Sequence, residues 1–206
     1  MASALTPNTP APPAAQRTGT IMLARHGEPA LSRRVRFNAQ GYRDFWASYE
    51  VGGLAQTQSP PEALSAFVAK ADVVISSTRR RSIESARILA PGRTFTEDPM
   101  LIEAPLPPPP WPRWVRLTPR VWGFWARFWW WYFNHHKGQE SRAQAEARAN
   151  GVVDRVIAMA ETGQDVAVVA HGFFNFMLAG ELRRRGWRMT GSQGYKYWST
   201  RWFAKG

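Results

Sequence analysis

The chain has 206 residues, 44% of them hydrophobic, which suits a single domain with a sizeable core. The absence of cysteine excludes disulfides, a thiolate nucleophile and thiol-ligated metals, and no stretch reaches the roughly 18 uninterrupted apolar residues of a membrane-spanning helix. With 27 Lys and Arg against 15 Asp and Glu, the net charge is +12, which favours phosphorylated substrates, nucleic acid or an acidic membrane surface as partners.

The first element in chain order is a tail over residues 1–18, rich in Pro, Ala and Thr. It lacks the basic start and apolar block of a secretory signal, so we predict a disordered segment. A cytoplasmic location is therefore expected, with membrane association left open.

Alternating strand and helix signals follow the tail. Strand signals cover residues 20–25, 72–76 and 165–170, with a weaker one at 93–97, and helical patterns cover 61–71, 80–90, 140–162 and 173–185. Strands that alternate with helices indicate βαβ units and a largely parallel sheet.

Three of the apolar runs end in side chains that suit a phosphate group. Ile21–Ala24 leads into Arg25-His26-Gly27, the run from Asp72 leads into an arginine triplet at 79–81, and Val166–Ala170 leads into His171-Gly172. Ligands of open α/β sheets bind outside the carboxyl ends of the strands. The two histidines and at least two arginines are therefore predicted to meet at a site for a phosphoryl group.

These motifs resemble those of the histidine phosphatase superfamily, the phosphoglycerate mutase-like enzymes. Arg25-His26-Gly27 is similar to the family's first motif, Ser76-Ser77 with Arg81 and Ser85-Ala86 to its second, and His171-Gly172 to its last. The resemblance implies an α/β fold, a three-layer α/β/α sandwich with a largely parallel central sheet, over residues 19–206.

The resemblance also implies a role for each matching residue. His26 would be the nucleophile, forming a phosphohistidine that water hydrolyses. Arg25, Arg81, His171 and Gly27 would hold the phosphate, and no metal or cofactor would be needed. The chemistry is consistent, because a neutral imidazole attacks phosphorus near neutral pH and an arginine binds phosphate through two N–H groups.

A leaving alkoxide also needs a proton, and two carboxyl groups compete for that role. Glu103 lies where the family usually carries its acid, whereas Glu28 directly follows the nucleophile motif and is badly placed for the leaving group. Of the triplet at 79–81, the spacing from Ser76-Ser77 selects Arg81, and the other two are expected to be solvated. Asn175 is expected to be an ordinary helix residue.

Each of these residues also has an ordinary structural interpretation. His26 and His171 would then be a buried histidine and a helix N-terminal residue without chemistry, and Glu103 a surface acid. Arg33, Arg34 and Arg36 form a basic loop that is either solvated or binds a second anionic group.

An insertion at about 107–136 departs from the family pattern. It begins with four prolines and contains seven tryptophans among the arginines 113, 116, 120 and 127. Residues 120–133 suit a helix of roughly 20 Å, too short to cross a bilayer. An aromatic lid or homodimer surface, contact with an anionic membrane, and base stacking remain open, although nucleic acid is not expected as the partner.

The sequence thus predicts a metal-independent phosphatase acting on a phosphate monoester, with an amphiphilic or aromatic small molecule as substrate. Pro29 and the residues after it do not follow the family pattern, which argues against a glycolytic mutase. The alternatives are a phosphohistidine protein phosphatase with an open pocket and a non-catalytic basic module that binds membranes or nucleic acid.

Overall fold

A computed structural model describes residues 17–206 and contains a six-stranded sheet in the order β3-β2-β4-β1-β6-β5. The strands are β1 (Ile21–Arg25), β2 (Val73–Ser77), β3 (Thr96–Asp98), β4 (Val166–Ala170), β5 (Trp187–Ser192) and β6 (Thr200–Lys205). The pairs β2–β3, β2–β4 and β1–β4 are parallel, and β6 runs antiparallel to β1 and to β5.

Helices cover both faces of this sheet. They are α1 (Ala39–Val51), α2 (Glu62–Lys70), α3 (Arg80–Leu89), α4 (Pro119–Phe133), α5 (Arg142–Glu161) and α6 (Gly172–Arg184), with a short 3₁₀ turn at Pro99–Leu101. Helices α5 and α6 pack on one face and α2 and α3 on the other, which confirms the predicted three-layer α/β/α architecture.

The central strands are apolar on both faces because both faces are covered. In β1, Ile21 and Leu23 face the α5–α6 layer, while Met22 and Ala24 face the α2–α3 layer. All five residues of β4 are fully buried between the two layers. The sheet interior therefore fixes the register of the residues that follow β1 and β4.

Helices α1 and α4 form a separate aromatic cluster. Its buried members are Tyr42, Leu106, Trp122 and Ala126. Asn38 caps α1 by accepting a hydrogen bond from the Gly41 N–H at 3.0 Å, and the Trp122 indole N–H donates to the Phe37 carbonyl at 2.8 Å. The insertion is thus tied to the segment that follows the first motif.

The four predicted strands and five predicted helices are present within a few residues of their expected bounds. Helix α1 and the hairpin β5–β6 were not predicted. Residues 1–16 of the predicted tail lie outside the described residues, and Arg17 forms an ion pair with Asp165 at 2.7 Å. None of the helices in the described residues has the length and apolar character needed to cross a bilayer.

Candidate active site

The three motif-bearing strands are neighbours, and their carboxyl ends lie at the same edge of the sheet. Strand β4 lies between β2 and β1 and is parallel to both. His171 therefore follows the middle strand, with His26 on one side and Ser77 on the other. The ring centroids of His26 and His171 are 5.1 Å apart.

His26 is oriented by its own backbone. Its Nδ1 lies 2.7 Å from the Gly27 carbonyl oxygen, which can only accept, so Nδ1 carries the proton and Nε2 has a free lone pair. The ring is 2% exposed. Burial, and then the positive charges of Arg81 and Arg25, hold the pKa of His26 well below its usual value, so the imidazole is neutral at neutral pH.

His171 has the opposite tautomer. Its Nδ1 accepts a hydrogen bond from the Arg81 guanidinium at 3.3 Å, and its Nε2 donates to the Ser77 hydroxyl at 2.9 Å. The ring is 1% exposed. Burial and the neighbouring Arg81 lower the pKa of His171 well below its usual value. Both imidazoles are therefore neutral donors or acceptors in a positively charged site.

The arginine triplet has three different surroundings, and Arg79 is half-buried rather than solvated as expected. Arg81 is fully buried, donates to the Tyr49 carbonyl at 2.8 Å and pairs with Glu50 at 3.0 Å. Arg79 pairs with the other Glu50 oxygen at 2.6 Å, and Arg80 pairs with Glu84 on the surface of α3. Only Arg81 of the three contacts a histidine of the site.

A second group of guanidinium groups lies around Tyr197. Arg25 stacks over the Tyr197 ring at 4.3 Å and donates to the Tyr195 carbonyl at 2.6 Å. Arg33 donates to the Tyr197 hydroxyl at 2.8 Å, and the Tyr197 ring lies 5.8 Å from His26. The Nε atoms of Arg25 and Arg33 are buried without a hydrogen-bond partner. Two donors of the site are thus unoccupied by protein groups.

Gly27 occupies a position with no room for a side chain. A Cβ there would lie 2.4 Å from the Trp198 ring and 2.6 Å from the Gln58 amide oxygen. Its N–H donates to the Ser85 hydroxyl at 2.9 Å. That N–H was predicted to hold phosphate, but it is already engaged, and the contribution of Gly27 in this structure is to orient His26 through its carbonyl.

Glu103 follows the 3₁₀ turn in the chain, and its side chain contacts the first turn of α6, the helix that begins directly after His171. Its carboxylate accepts hydrogen bonds from the N–H groups of Phe174 at 2.8 Å and Phe173 at 3.2 Å. It thereby caps a helix whose own N-cap side chain makes no capping bond. Glu28 is exposed on the surface, and Asn175, buried in α6, donates to the Ala24 carbonyl at 2.9 Å.

A cavity of about 470 Å³ adjoins the site. It reaches the motif residues through Arg25 and Gly172, while the two imidazoles do not line it. Its walls carry four guanidinium groups and several aromatic rings; they include Arg25, Arg33, Arg120, Arg127, Tyr42, Trp46, Phe173, Phe176 and Tyr195. Anionic and apolar parts of one ligand would both find partners there.

Several residues of the site carry no signal that the motifs could supply. Glu50 and Tyr49, which hold Arg81, lie in α1, and Tyr195 and Tyr197 lie in the loop between β5 and β6. Both elements went unpredicted, so their side chains could not be assigned to the pocket. Within residues 17–206, no group of three or more His, Cys, Asp or Glu is placed to hold a metal ion.

The sequence matches a known protein family. The family model of the histidine phosphatase superfamily (branch 1) matches residues 21–194. That range contains His26, Arg81, Glu103 and His171. No curated protein matches the sequence.

Three solved structures show the similarity of the fold. A mutant phosphoserine phosphatase from Entamoeba histolytica has 14% identity and a TM-score of 0.51, with 81% of this chain and 80% of that chain covered. A mycobacterial glucosyl-3-phosphoglycerate phosphatase has 21% identity and a TM-score of 0.50, with 82% and 81% covered. A protein from Escherichia coli described as a putative alpha-ribazole-5'-P phosphatase has 15% identity and a TM-score of 0.50, with 81% and 80% covered.

Proposed function

Since the chain belongs to the histidine phosphatase superfamily, we propose that it hydrolyses a phosphate monoester through a phosphohistidine intermediate on His26, without a metal ion. The observation that carries the proposal is the orientation of His26. Its protonated Nδ1 is held by the Gly27 carbonyl at 2.7 Å, so the free Nε2 is the nucleophile. Because the pKa of His26 is lowered, the nucleophile stays neutral below pH 6.5 as well.

The reaction has two displacements at phosphorus. In the first, His26 Nε2 forms a bond to phosphorus while the ester P–O bond breaks. In the second, water attacks phosphorus and the P–N bond breaks, which releases phosphate and regenerates the imidazole. Arg81 and Arg25 would hold the equatorial oxygens, where charge is stabilised during in-line transfer, and the His171 N–H group would join them by exchanging its hydrogen bond to Ser77 for a phosphate oxygen.

Glu103 is proposed to protonate the leaving oxygen and then to accept a proton from the attacking water. Its position beside His171 and the first turn of α6 supports this role. Both of its oxygens also cap α6, so the carboxyl group would have to exchange a backbone hydrogen bond for the leaving oxygen.

The cavity supports an amphiphilic or aromatic phosphate ester as the substrate. The rings of Trp46, Phe173 and Phe176 line it next to Arg25, so an apolar or aryl group would pack there while its phosphate lies beyond Arg25. A concave aromatic pocket of this size suits a small molecule better than the surface of a phosphorylated protein.

The first experiment is hydrolysis of p-nitrophenyl phosphate in EDTA by the wild type and by His26→Ala. We expect activity that survives chelation and disappears in His26→Ala, whereas His136→Ala, outside the site, keeps wild-type activity. With a substrate whose phosphate is radioactively labelled, a label that stays on the rapidly quenched protein in base and is released in acid would identify the phosphohistidine.

Activity retained by His26→Ala would rule out the covalent route, and activity lost in EDTA would rule out metal independence. A folded wild type without activity that still binds tungstate would have a more selective pocket. One that binds neither tungstate nor vanadate would be a non-catalytic module.

The role of Glu103 is tested by the leaving group. A Gln at this position can still accept a helix N–H bond but cannot donate a carboxylic proton. Glu103→Gln should therefore reduce kcat/KM for an alkyl phosphate by about 10²-fold or more and for p-nitrophenyl phosphate much less, because p-nitrophenolate leaves without a proton. Equal losses for both esters would indicate a purely structural cap.

A further inference from the structure

Helix α4 has two apolar faces, of which only one is packed against the protein. Trp122, Ala126 and Trp130 are fully buried on the inner face. On the opposite face, Val121, Phe124, Trp125, Phe128 and Tyr132 follow the i, i+3, i+4, i+7 spacing of one helical stripe. We call these five residues the outer stripe of α4.

The outer stripe is continuous and faces solvent. Phe124 is 60% exposed and Tyr132 is 69% exposed. Neighbouring rings contact one another along the stripe: the centroids of Phe124 and Trp125 are 5.3 Å apart, and those of Phe128 and Tyr132 are 4.8 Å apart. At 1.5 Å per residue the stripe is roughly 16 Å long. Trp125 and Phe128 are half-buried against rings outside the stripe, those of Trp111, Trp129 and Phe133. Val121, Phe124 and Tyr132 are exposed, and packing of the core does not explain their apolar surface.

Charge around the stripe indicates what covers it. Between Glu103 and Glu140 the chain has no Asp or Glu, and it has four arginines and Lys137. Arg113 and Arg116 are exposed in the loop before α4, beside Trp114, which is 80% exposed. Within the described residues, none of the four arginines of this segment forms an ion pair with a carboxylate.

Exposed aromatic rings next to unpaired arginines match the chemistry of a bilayer interface. Tryptophan, tyrosine and phenylalanine rings settle at the headgroup level, and arginines are attracted to anionic headgroups. A protein partner would offer acidic groups at isolated points, whereas an anionic leaflet offers negative charge across the whole length of the stripe and its rim.

We propose that the outer stripe of α4, with Trp114 and the arginines before the helix, docks the protein on an anionic lipid bilayer. The cavity next to the catalytic site is lined by Gly123, Arg120 and Arg127 of the same helix. Docking would thus place the mouth of the pocket beside the membrane surface. If the proposed function holds, on which this step rests, the substrate is a lipid-like phosphate monoester taken up from the leaflet.

Co-sedimentation tests the docking without any use of activity. The wild type is mixed with sucrose-loaded vesicles of phosphatidylcholine alone or of phosphatidylcholine with an equal amount of phosphatidylglycerol. We expect binding to the anionic vesicles that weakens as salt is added. The double variant Phe124→Ser/Tyr132→Ser should lower the partition coefficient by at least about tenfold, since two apolar rings lose their transfer into the interface.

Two further variants separate the parts of the proposal. Ile88→Ser/Met189→Ser removes two apolar side chains that are 43% and 38% exposed on other elements, and it should bind as the wild type does. Arg113→Gln/Arg116→Gln should reduce binding to anionic vesicles by roughly 30-fold, since each arginine contributes separately to electrostatic attraction.

Wild-type protein that stays in the supernatant with anionic vesicles would overturn the docking proposal, whatever its activity. So would a dimer in sedimentation equilibrium that Phe124→Ser/Tyr132→Ser dissociates, because the stripe would then be an interface between two copies. Hydrolysis of p-nitrophenyl phosphate should be the same in that variant and in the wild type, so failure of docking and failure of the phosphatase activity are read independently.

Discussion

The edge of the sheet and helix α4 line the same cavity, but the first buries polar groups and the second exposes apolar ones. At the edge of the sheet, polar groups are buried and several are paired: His171 has Ser77 and Arg81, and Arg81 has Glu50, while the Nε atoms of Arg25 and Arg33 have no protein partner. On the outer stripe of α4, apolar side chains are exposed and contact neighbouring rings of the same helix. Burying a charge is costly unless it is held, and exposing an apolar face is costly unless it is covered.

The two regions differ in whether contacts within the chain account for all of their surface. The polar site is positioned by the chain itself, because strands β1, β2 and β4 bring its groups together and Glu50 of α1 pairs with the charge of Arg81. Helix α4 is covered by the rest of the protein only on its inner face. The function proposed for the first region is the hydrolysis of a bound phosphate ester, and the function proposed for the second is the docking of the helix on a membrane.

The largest expected effect concerns the two faces of α4. Trp122→Ala removes a fully buried ring and its hydrogen bond to the Phe37 carbonyl, and should lower the free energy of unfolding by about 3–5 kcal/mol. Phe124→Ala, on the outer stripe, should change it by no more than about 0.5 kcal/mol. Urea denaturation of both variants provides the measurement.

A cost of several kcal/mol for Phe124→Ala would mean that the outer stripe is covered in the folded protein, by a second copy or by another part of the chain. Repeating the denaturation at several protein concentrations tells these apart, since only a dimer gives a midpoint that rises with concentration.

The next effect concerns the arginine triplet, which offers a matched pair within one helix. Arg81→Lys keeps the charge but loses the fork that reaches His171, Glu50 and the Tyr49 carbonyl. We expect kcat/KM for p-nitrophenyl phosphate to fall by about 10²-fold or more. Arg80→Lys changes an exposed pair with Glu84 and should leave activity within about twofold.

Similar activities of these two variants would show that Arg81 is a structural residue that does not act on the phosphate. A kcat/KM loss that appears only in KM would place Arg81 in ground-state binding, and a loss in kcat would place it in the transition state.

The motifs made the candidate site at the edge of the sheet predictable, because each motif is a short local pattern. A buried apolar strand followed by His or Arg identifies both the element and the position of the side chain, as for His26 and His171. Arg81 could be chosen from three arginines because its spacing from Ser76-Ser77 resembles that of the family's second motif, whereas Arg80, in the same first turn of α3, has no such match.

The remainder of the site depends on long-range packing that no local pattern records. Helix α1 contains none of the family motifs and is held by Asn38 and by rings from α4, so Glu50 and Tyr49 could not be assigned to Arg81 from local sequence. The hairpin β5–β6 carries polar and charged residues because only part of it is buried, and Tyr197 reaches His26 only after that hairpin forms. For α4, the sequence predicted an aromatic helix, but which face is packed follows from α1.

The smallest expected effect is the pH dependence of stability, and it depends on the same burial that prepares His26 for attack. The pKa values of His26 and His171 are lowered in the folded protein, whereas in the unfolded chain they return to about 6.5. Below pH 6.5 the unfolded state therefore takes up protons that the folded state does not. As the pH is lowered below 6.5, the free energy of unfolding should therefore fall. Its slope approaches about 1.4 kcal/mol per pH unit for each histidine until the folded pKa is reached.

Carboxylates also contribute to acid destabilisation, so the slope must be compared between variants. His171→Gln keeps a donor for Ser77 and an acceptor for Arg81, and should remove about 1 kcal/mol of the stability lost between pH 6.5 and 5.5, because the unfolded imidazole is only half protonated at the upper end of this range. His136→Gln, in the turn after α4, should leave the slope unchanged. If His171→Gln also leaves the slope unchanged, folding does not lower the pKa of His171, and its imidazole gains a proton in this pH range as it would in the unfolded chain.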